Sequence, residues 1–163
     1  MRALVPLLVL AAACRKDPPL FENRSDLAPL RARLTATGGD PSRVLRVRAV
    51  TDLLQLEPGR RYRFALLGDG ALRVAPLHAD VPNNEYVHAI LADGAPVRSA
   101  GWIIVKHDGR AVTGAMVDRN SRSYCPSAQS VTATIEALRA LGIPRPRITV
   151  DPEPPSCVTP RTT

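Results

Sequence analysis

Side chains able to do chemistry concentrate in residues 86–126. This stretch holds two of the three His, the only Trp and two of the three Tyr. His88 is suited to acid–base chemistry or to orienting a ligand, and Ser121 and Tyr124 can donate hydrogen bonds. These three are the candidate catalytic residues, on the hypothesis that they line one cleft. The alternative, which we favour, makes His88 a hydrogen-bonded buried histidine, Tyr124 and Trp102 core or sheet residues, and the nearby glycines turn formers.

The order of residues in this stretch resembles a known module. The matching positions are His88, Gly94, Val97, Ala100, Gly101, Gly109, Ser121, Tyr124 and Pro126. They are similar to the pattern His-x-x-Leu…Gly-x-x-Val-x-x-Ala-Gly…Asp-Gly…Ser-Gly-His-Tyr-x-Pro of bacterial toxin-type C-terminal domains and plant calmodulin-binding proteins. The Gly and second His of that pattern are Arg122 and Ser123 here. If that His does chemistry in the module, the resemblance implies that this chain has lost it.

No other catalytic or cofactor motif is present in the sequence. It contains no P-loop, dinucleotide fingerprint, His-Glu-x-x-His or nucleophile elbow. His78, His88 and His107 are not at metal-ligand spacing on one helix. We therefore expect neither a cofactor nor a metal ion.

The N-terminal residues resemble an export signal. Residues 1–13 combine the charged Arg2, an apolar run of 11 residues and three alanines, and Cys14 follows directly. This resembles the lipobox of bacterial lipoproteins, in which the Cys is lipidated and becomes the mature N-terminus. Ala11 stands where the family usually has Leu, and plain secretion is the alternative. The resemblance implies a protein anchored by lipid at the periplasmic or outer surface of the bacterial cell envelope.

The cysteine count agrees with lipidation. Three Cys in an exported protein leave one without a partner, unless Cys14 carries lipid. Cys125 and Cys157 then remain as a pair, and in an oxidising compartment we expect them to form a disulfide.

Composition indicates one domain that does not bind nucleic acid. The chain has 163 residues, of which 45% are hydrophobic, and a net charge of +7. Its arginines are scattered, and many alternate with apolar residues, as on the solvated face of strands. No recognition helix or aromatic-basic motif appears. We predict a tether over 14–25, one globular domain over 26–151 and a proline-rich tail over 152–163.

Residue patterns predict two hairpins. Apolar residues alternate over 61–67 and 71–77, on either side of a Gly-Asp-Gly turn. An Asp-Gly pair separates the apolar runs 97–106 and 111–117, which is a strong hairpin signal. Residues 147–150 predict a last short strand.

Helical patterns occur near both ends of the domain. Asp26 can cap a short N-terminal helix, and residues 86–92 predict one or two helical turns. Residues 40–54 favour a helix, with a strand as the alternative. An apolar stripe predicts a helix over about 128–141. The sum is an α+β fold, in which one well-marked helix packs on a small, mostly antiparallel sheet of four to six strands.

The sequence thus favours a small envelope lipoprotein that acts as a non-catalytic binding or structural module. It would meet the membrane through its lipid and has a protein as a candidate partner. Two alternatives remain open. One is a toxin-type or degenerate enzyme domain that uses the region from His88 to Tyr124. The other is an immunity or inhibitor lipoprotein.

Overall fold

One six-stranded sheet organises the chain. The computed structural model describes residues 19–76 and 85–152. In chain order the strands are β1 (Leu45–Val47), β2 (Arg61–Leu67), β3 (Leu72–Val74), β4 (Val97–His107), β5 (Val112–Val117) and β6 (Ile148–Val150). In the sheet they lie in the order β1-β3-β2-β4-β5-β6. Every neighbouring pair is antiparallel except β5 and β6. The predicted α+β fold is confirmed.

The two predicted hairpins are present. Strands β2 and β3 pair across a turn in which Gly70 has a φ of +88°. Strands β4 and β5 pair across a turn in which Gly109 has a φ of +86°. Glycine populates this left-handed region without the steric cost that other residues meet, so both turns depend on it.

Within the described ranges, three α-helices cover the sheet: α1 (Leu27–Ala36), α2 (His88–Ala92) and α3 (Ser130–Ala140). Helix α3 confirms the best-marked prediction, because it buries Val131, Ile135 and Leu138 along one stripe. It also connects β5 to its parallel neighbour β6, as a parallel pair requires. Short 3₁₀ turns occupy Pro41–Arg43, Val50–Gln55 and Arg145–Arg147.

The helix favoured for residues 40–54 is wrong beyond its first turn. Strand β1 pairs with β3, and only then does the 3₁₀ turn Val50–Gln55 follow. The Asp52 carboxylate accepts hydrogen bonds from the backbone N–H groups of Arg48 and Ala49, at 2.7 and 2.9 Å. These two hydrogen bonds stabilise a bend in the chain directly after the strand. A continuous helix over the same residues would have no such bend.

Apolar residues are buried on both faces of the sheet. On one face, Phe64, Ile103 and Val105 share a cluster with Ile135 and Leu138 of α3. On the other face, Ala65, Ala100, Tyr86, Leu91 and Tyr124 share a second cluster, against which Leu27 and Leu30 of α1 pack. The second face carries the candidate site, because α1 and α2 cover only part of it.

The end of the predicted tether is docked on the domain. Phe21 and Val97 exchange two backbone hydrogen bonds, of 2.8 and 3.0 Å. The Arg24 N–H donates to the Ser123 carbonyl at 2.8 Å, and the Ser25 hydroxyl donates to that of Ser123 at 3.1 Å. Residues 21–25 therefore belong structurally with the domain.

Several predictions fall outside the described residues. These are the signal peptide over 1–13, lipidation at Cys14, the tail predicted over 152–163 except for its first residue, and Cys157. Cys125 is disulfide-bonded, and its pairing with Cys157 stays a prediction. In the part of the chain that the structure describes, no helix is long and apolar enough to cross a membrane.

Candidate binding cleft

An open cleft of about 480 Å³ lies on the face of the sheet that α1 and α2 partly cover. Its lining is rich in cationic and polar groups: Arg33, Arg63, Val87, His88, Trp102, Asn120, Arg122 and Ser123. Helix α1, the sheet, the start of α2 and the loop after β5 each supply some of these residues. The cleft is therefore assembled from parts that are distant in sequence.

Cross-strand pairing places Arg63 and Trp102 directly opposite each other on β2 and β4. The Arg63 guanidinium carbon lies 4.7 Å from the centroid of the indole, and that of Arg61 lies 5.1 Å from it. Cations are attracted to the negative face of an indole, which fixes the two long side chains. Trp102 therefore holds guanidinium groups in place, in agreement with its prediction as a sheet residue.

The buried carboxylate of Asp118 fixes the loop that borders the cleft. Its Oδ1 accepts from the backbone N–H groups of Trp102 at 2.7 Å and Asn120 at 2.8 Å, and its Oδ2 pairs with Arg61 at 2.5 Å. Opposite it, a Cβ on Gly101 would lie 2.3 Å from the backbone oxygen of Asp118. The loop after β5 packs closely on β4 because Gly101 has no side chain.

His88 lines the cleft, but a structural hydrogen bond occupies one side of its ring. The side chain is only 5% exposed, and its Nε2 lies 2.9 Å from the carbonyl oxygen of Gly101. Because a carbonyl can only accept, this contact assigns the proton to Nε2. Burial, and secondarily the charge of Arg63, lower the pKa of His88 to about 3, although the bond to Gly101 opposes the shift.

The other two candidates are core residues that do not line the cleft. The Tyr124 hydroxyl donates to the Ala95 carbonyl at 2.9 Å. Burial raises the pKa of Tyr124 to about 12, with help from the carboxylates of Glu22 and Asp93. Ser121 is fully buried, and its carbonyl accepts from the Cys125 N–H at 2.8 Å. The hypothesis that His88, Ser121 and Tyr124 share a cleft is therefore wrong for Ser121 and Tyr124.

Three arginines reach the cleft in different ways. Arg33 of α1 pairs with Glu85 at 2.6 Å. Arg63 is held against Trp102, and burial lowers its pKa. Arg122 is exposed on the loop after β5, and its guanidinium pairs with no carboxylate in residues 19–76 or 85–152. None of the described residues that line the cleft is acidic.

The sequence analysis missed this cluster of arginines. The alternation around Arg63 was interpreted as the solvated face of a strand, whereas Arg63 is partly buried under the cleft. Arg33, Arg63 and Arg122 are separated by 30 and 59 positions in the printed sequence, so no local spacing could connect them. The one available signal was that Arg122 and Ser123 depart from the pattern that the surrounding stretch resembles.

Nothing described here suggests a metal centre. No group of three or more His, Cys, Asp or Glu in the described ranges could hold a metal ion. The His107 Nε2 lies 2.7 Å from the Leu56 carbonyl oxygen, and His78 lies outside the described residues.

Comparison with protein-family models, with curated proteins and with solved structures finds no match. A function for this chain has to come from its own residues.

Proposed function

We propose that the protein is a small cell-envelope lipoprotein whose cleft binds a ligand without transforming it. The observation that carries the proposal is the combination of an open, arginine-lined cleft with a neutral, hydrogen-bonded His88. The cleft offers a place for a ligand to be held. The titratable candidates offer little acid–base chemistry near neutral pH.

The state of His88 argues against general acid–base catalysis. A catalytic acid or base works best when its pKa lies near the operating pH. With a pKa of about 3, His88 holds no extra proton to give at neutral pH and is a poor acceptor of one. Tyr124, with a pKa of about 12 and its hydroxyl bonded to the Ala95 carbonyl, is an equally poor base.

The two departures from the resembled pattern support binding as well. Arg122 and Ser123 replace a Gly and a His of that pattern, and both line the cleft. Replacing an imidazole by a hydroxyl removes an acid–base group, and replacing glycine by arginine adds a permanent positive charge. Both changes favour holding a ligand over transforming it.

The immunity or inhibitor alternative has less support. A contiguous exposed apolar patch of several hundred Å² is one mark of a protein interface. Among the described residues, the exposed large hydrophobics are Leu20 and Val150. They lie on different parts of the fold, since Leu20 borders the β2–β3 turn and Val150 ends β6.

Binding without turnover can be tested with Trp102, which is the only Trp of the chain. We expect its fluorescence to respond to at least one compound in a panel of sugars, amino acids, carboxylates and phosphates. The responding compound should be recovered chemically unchanged after incubation, as checked by mass spectrometry. A chemical conversion that the wild type performs and His88→Gln abolishes would instead establish the enzyme alternative.

The envelope location is a separate part of the proposal, and it rests on the signal-like residues 1–13 followed by Cys14. We expect the mature chain to begin at Cys14 and to carry acyl chains, which intact-mass analysis of the membrane fraction would detect. The matched control is Cys14→Ser, which should lose the acyl mass and leave the membrane fraction. An unmodified soluble species from the wild type would contradict lipidation.

A further inference from the structure

We propose that the cleft binds an uncharged saccharide, one hydroxyl of which donates a hydrogen bond to Nδ1 of His88. This inference rests on the proposed binding function and adds the chemical class of the ligand. It starts from a single polar atom in the wall of the cleft. His88 is only 5% exposed, yet its Nδ1 receives no hydrogen bond from any described residue and is not a fully buried atom. A buried ring that lines the cleft thus presents one unpaired polar atom to a ligand.

The contacts of the His88 ring determine the role of Nδ1. The carbonyl oxygen of Gly101 lies 2.9 Å from Nε2 and holds the proton there, so Nδ1 carries a lone pair and accepts. The Trp102 indole packs edge-on against the ring, with the centroids 6.4 Å apart and the planes at 90°. Burial lowers the pKa of His88 to about 3, so Nδ1 remains an acceptor at neutral pH. His88 therefore offers a preoriented acceptor, which loses little side-chain freedom when a donor binds.

An acceptor in this position selects against a carboxylate. An ionised carboxylate has no proton to donate, and its oxygen lone pairs would meet the lone pair of Nδ1. Filling the cleft with such a group would remove water from Nδ1 without replacing its hydrogen bond, which costs free energy. The ligand therefore has to place an O–H or N–H donor at His88.

The loop after β5 provides the complementary kind of group. Arg122 is exposed on this loop, and a guanidinium can only donate, so the ligand has to offer an acceptor there. The neighbouring Ser123, whose hydroxyl accepts from Ser25 at 3.1 Å, also lines the cleft and has an O–H to donate. A hydroxyl group both donates and accepts. Several hydroxyls on one small scaffold therefore satisfy His88 and the loop together.

An uncharged ligand also agrees with the charges and the size of the cleft. Glu85 pairs with Arg33 at 2.6 Å, and its carboxylate also acts electrostatically on Arg63. Val87 and Trp102 add apolar surface, against which the C–H groups of a sugar ring can pack. The volume of about 480 Å³ lies within the usual range of small-molecule sites, about 300–1,000 Å³. A saccharide combines the hydroxyls and the C–H surface that these groups require.

The test is a titration of the full chain carrying Cys14→Ser, followed by Trp102 fluorescence. The probes are glucose and N-acetylglucosamine, with succinate and N-acetylglycinamide as the carboxylate and amide comparisons. We expect saturable binding of at least one sugar that NaCl affects little, because the ligand carries no charge for salt to screen. The ¹⁵N resonance of His88 Nδ1 should move when the sugar binds, since that atom gains a donor, whereas the resonances of His107 should stay.

Substitution and ligand chemistry together assign the hydrogen bond to His88. His88→Gln keeps an N–H donor for the Gly101 carbonyl but has no acceptor at the place of Nδ1, so sugar affinity should fall about three- to tenfold. Among the monodeoxy forms of the sugar that binds, one should bind equally weakly to the wild type and lose nothing further in His88→Gln. The matched control is His107→Gln, because the His107 ring also bonds a backbone carbonyl but does not line the cleft. This control should leave the affinity unchanged.

Weaker sugar binding in His88→Gln but not in His107→Gln, coupled to one ligand hydroxyl, supports the proposal. A response to N-acetylglycinamide or succinate without a response to either sugar overturns the saccharide class while the binding function stands. Sugar binding that leaves the Nδ1 resonance in place, or that both variants weaken equally, overturns the role of His88. If His88→Gln does not fold, the deoxy sugars and the Nδ1 resonance of the wild type decide. No response to any compound of the wider panel overturns both the saccharide proposal and the binding function.

Discussion

The protein should lose stability steeply as the pH falls from about 6.5 to 3, and His88 should be the main cause. In the folded state burial lowers the pKa of His88 to about 3, whereas the unfolded chain has an ordinary value near 6.5. Below 6.5 the unfolded state therefore binds a proton that the folded state does not. The stabilisation contributed by neutral His88 is fully present above pH 6.5 and is lost as the pH falls towards 3. The loss amounts to about 4 kcal/mol by pH 3.

This effect is a large part of the stability of a typical domain, which is about 5–15 kcal/mol. Urea unfolding across this pH range would measure it. His88→Gln keeps an N–H donor for the Gly101 carbonyl and has no titrating group. The free energy of unfolding of this variant should therefore depend much less on pH, although at pH 7 it should be lower than that of the wild type. The matched control is His107→Gln, because the His107 ring also bonds a backbone carbonyl but is less buried. Equal pH dependence of the wild type and His88→Gln would contradict this explanation.

Gly101→Ala should be among the most destabilising single-methyl additions in the chain. The added Cβ would lie 2.3 Å from the backbone oxygen of Asp118 and 2.7 Å from its Oδ1. The backbone atom cannot rotate away, so the loop after β5 would have to move. That movement would break the bonds of Asp118 to the N–H groups of Trp102 and Asn120. We expect a loss of about 3 kcal/mol or more, together with weaker ligand binding.

Gly68→Ala provides the control for this substitution. Its added Cβ would meet the flexible side chain of Leu20 at 3.5 Å, which is an ordinary contact distance. Thermal or urea unfolding should therefore show Gly68→Ala close to the wild type and Gly101→Ala far below it. If both variants unfold with the same midpoint, the close approach of Asp118 to β4 does not constrain the residue at position 101.

Local signals were enough to predict most of the fold. The turns at Gly70 and Gly109 and the apolar stripe of α3 all act over a few residues, so their geometry can be predicted from spacing alone. The helix favoured for 40–54 was wrong because a long-range contact decided it. Strand β1 pairs with β3, about 27 positions further along the chain, and no local pattern contains that partner.

The candidate site was predicted less well, for two physical reasons. Residue type identified His88 and Tyr124 as able to do chemistry, but the backbone carbonyls of Gly101 and Ala95 bond His88 Nε2 and the Tyr124 hydroxyl. Conversely, Gly101 was interpreted as a turn former, whereas it lies within β4 and is required by a close contact. Whether a polar group is available and whether a glycine is crowded both depend on neighbours that only the folded chain supplies.

If Cys14 carries acyl chains, the docking of Phe21 against Val97 would limit how far the domain can stand from the membrane. Seven peptide steps separate Cys14 from Phe21, and a fully extended chain covers about 3.5 Å per residue, or about 25 Å in all. With acyl chains on Cys14, this short tether would keep the domain next to the lipid headgroups. The ligand would then have to bind near the membrane surface, because the tether is too short for the domain to move far from it.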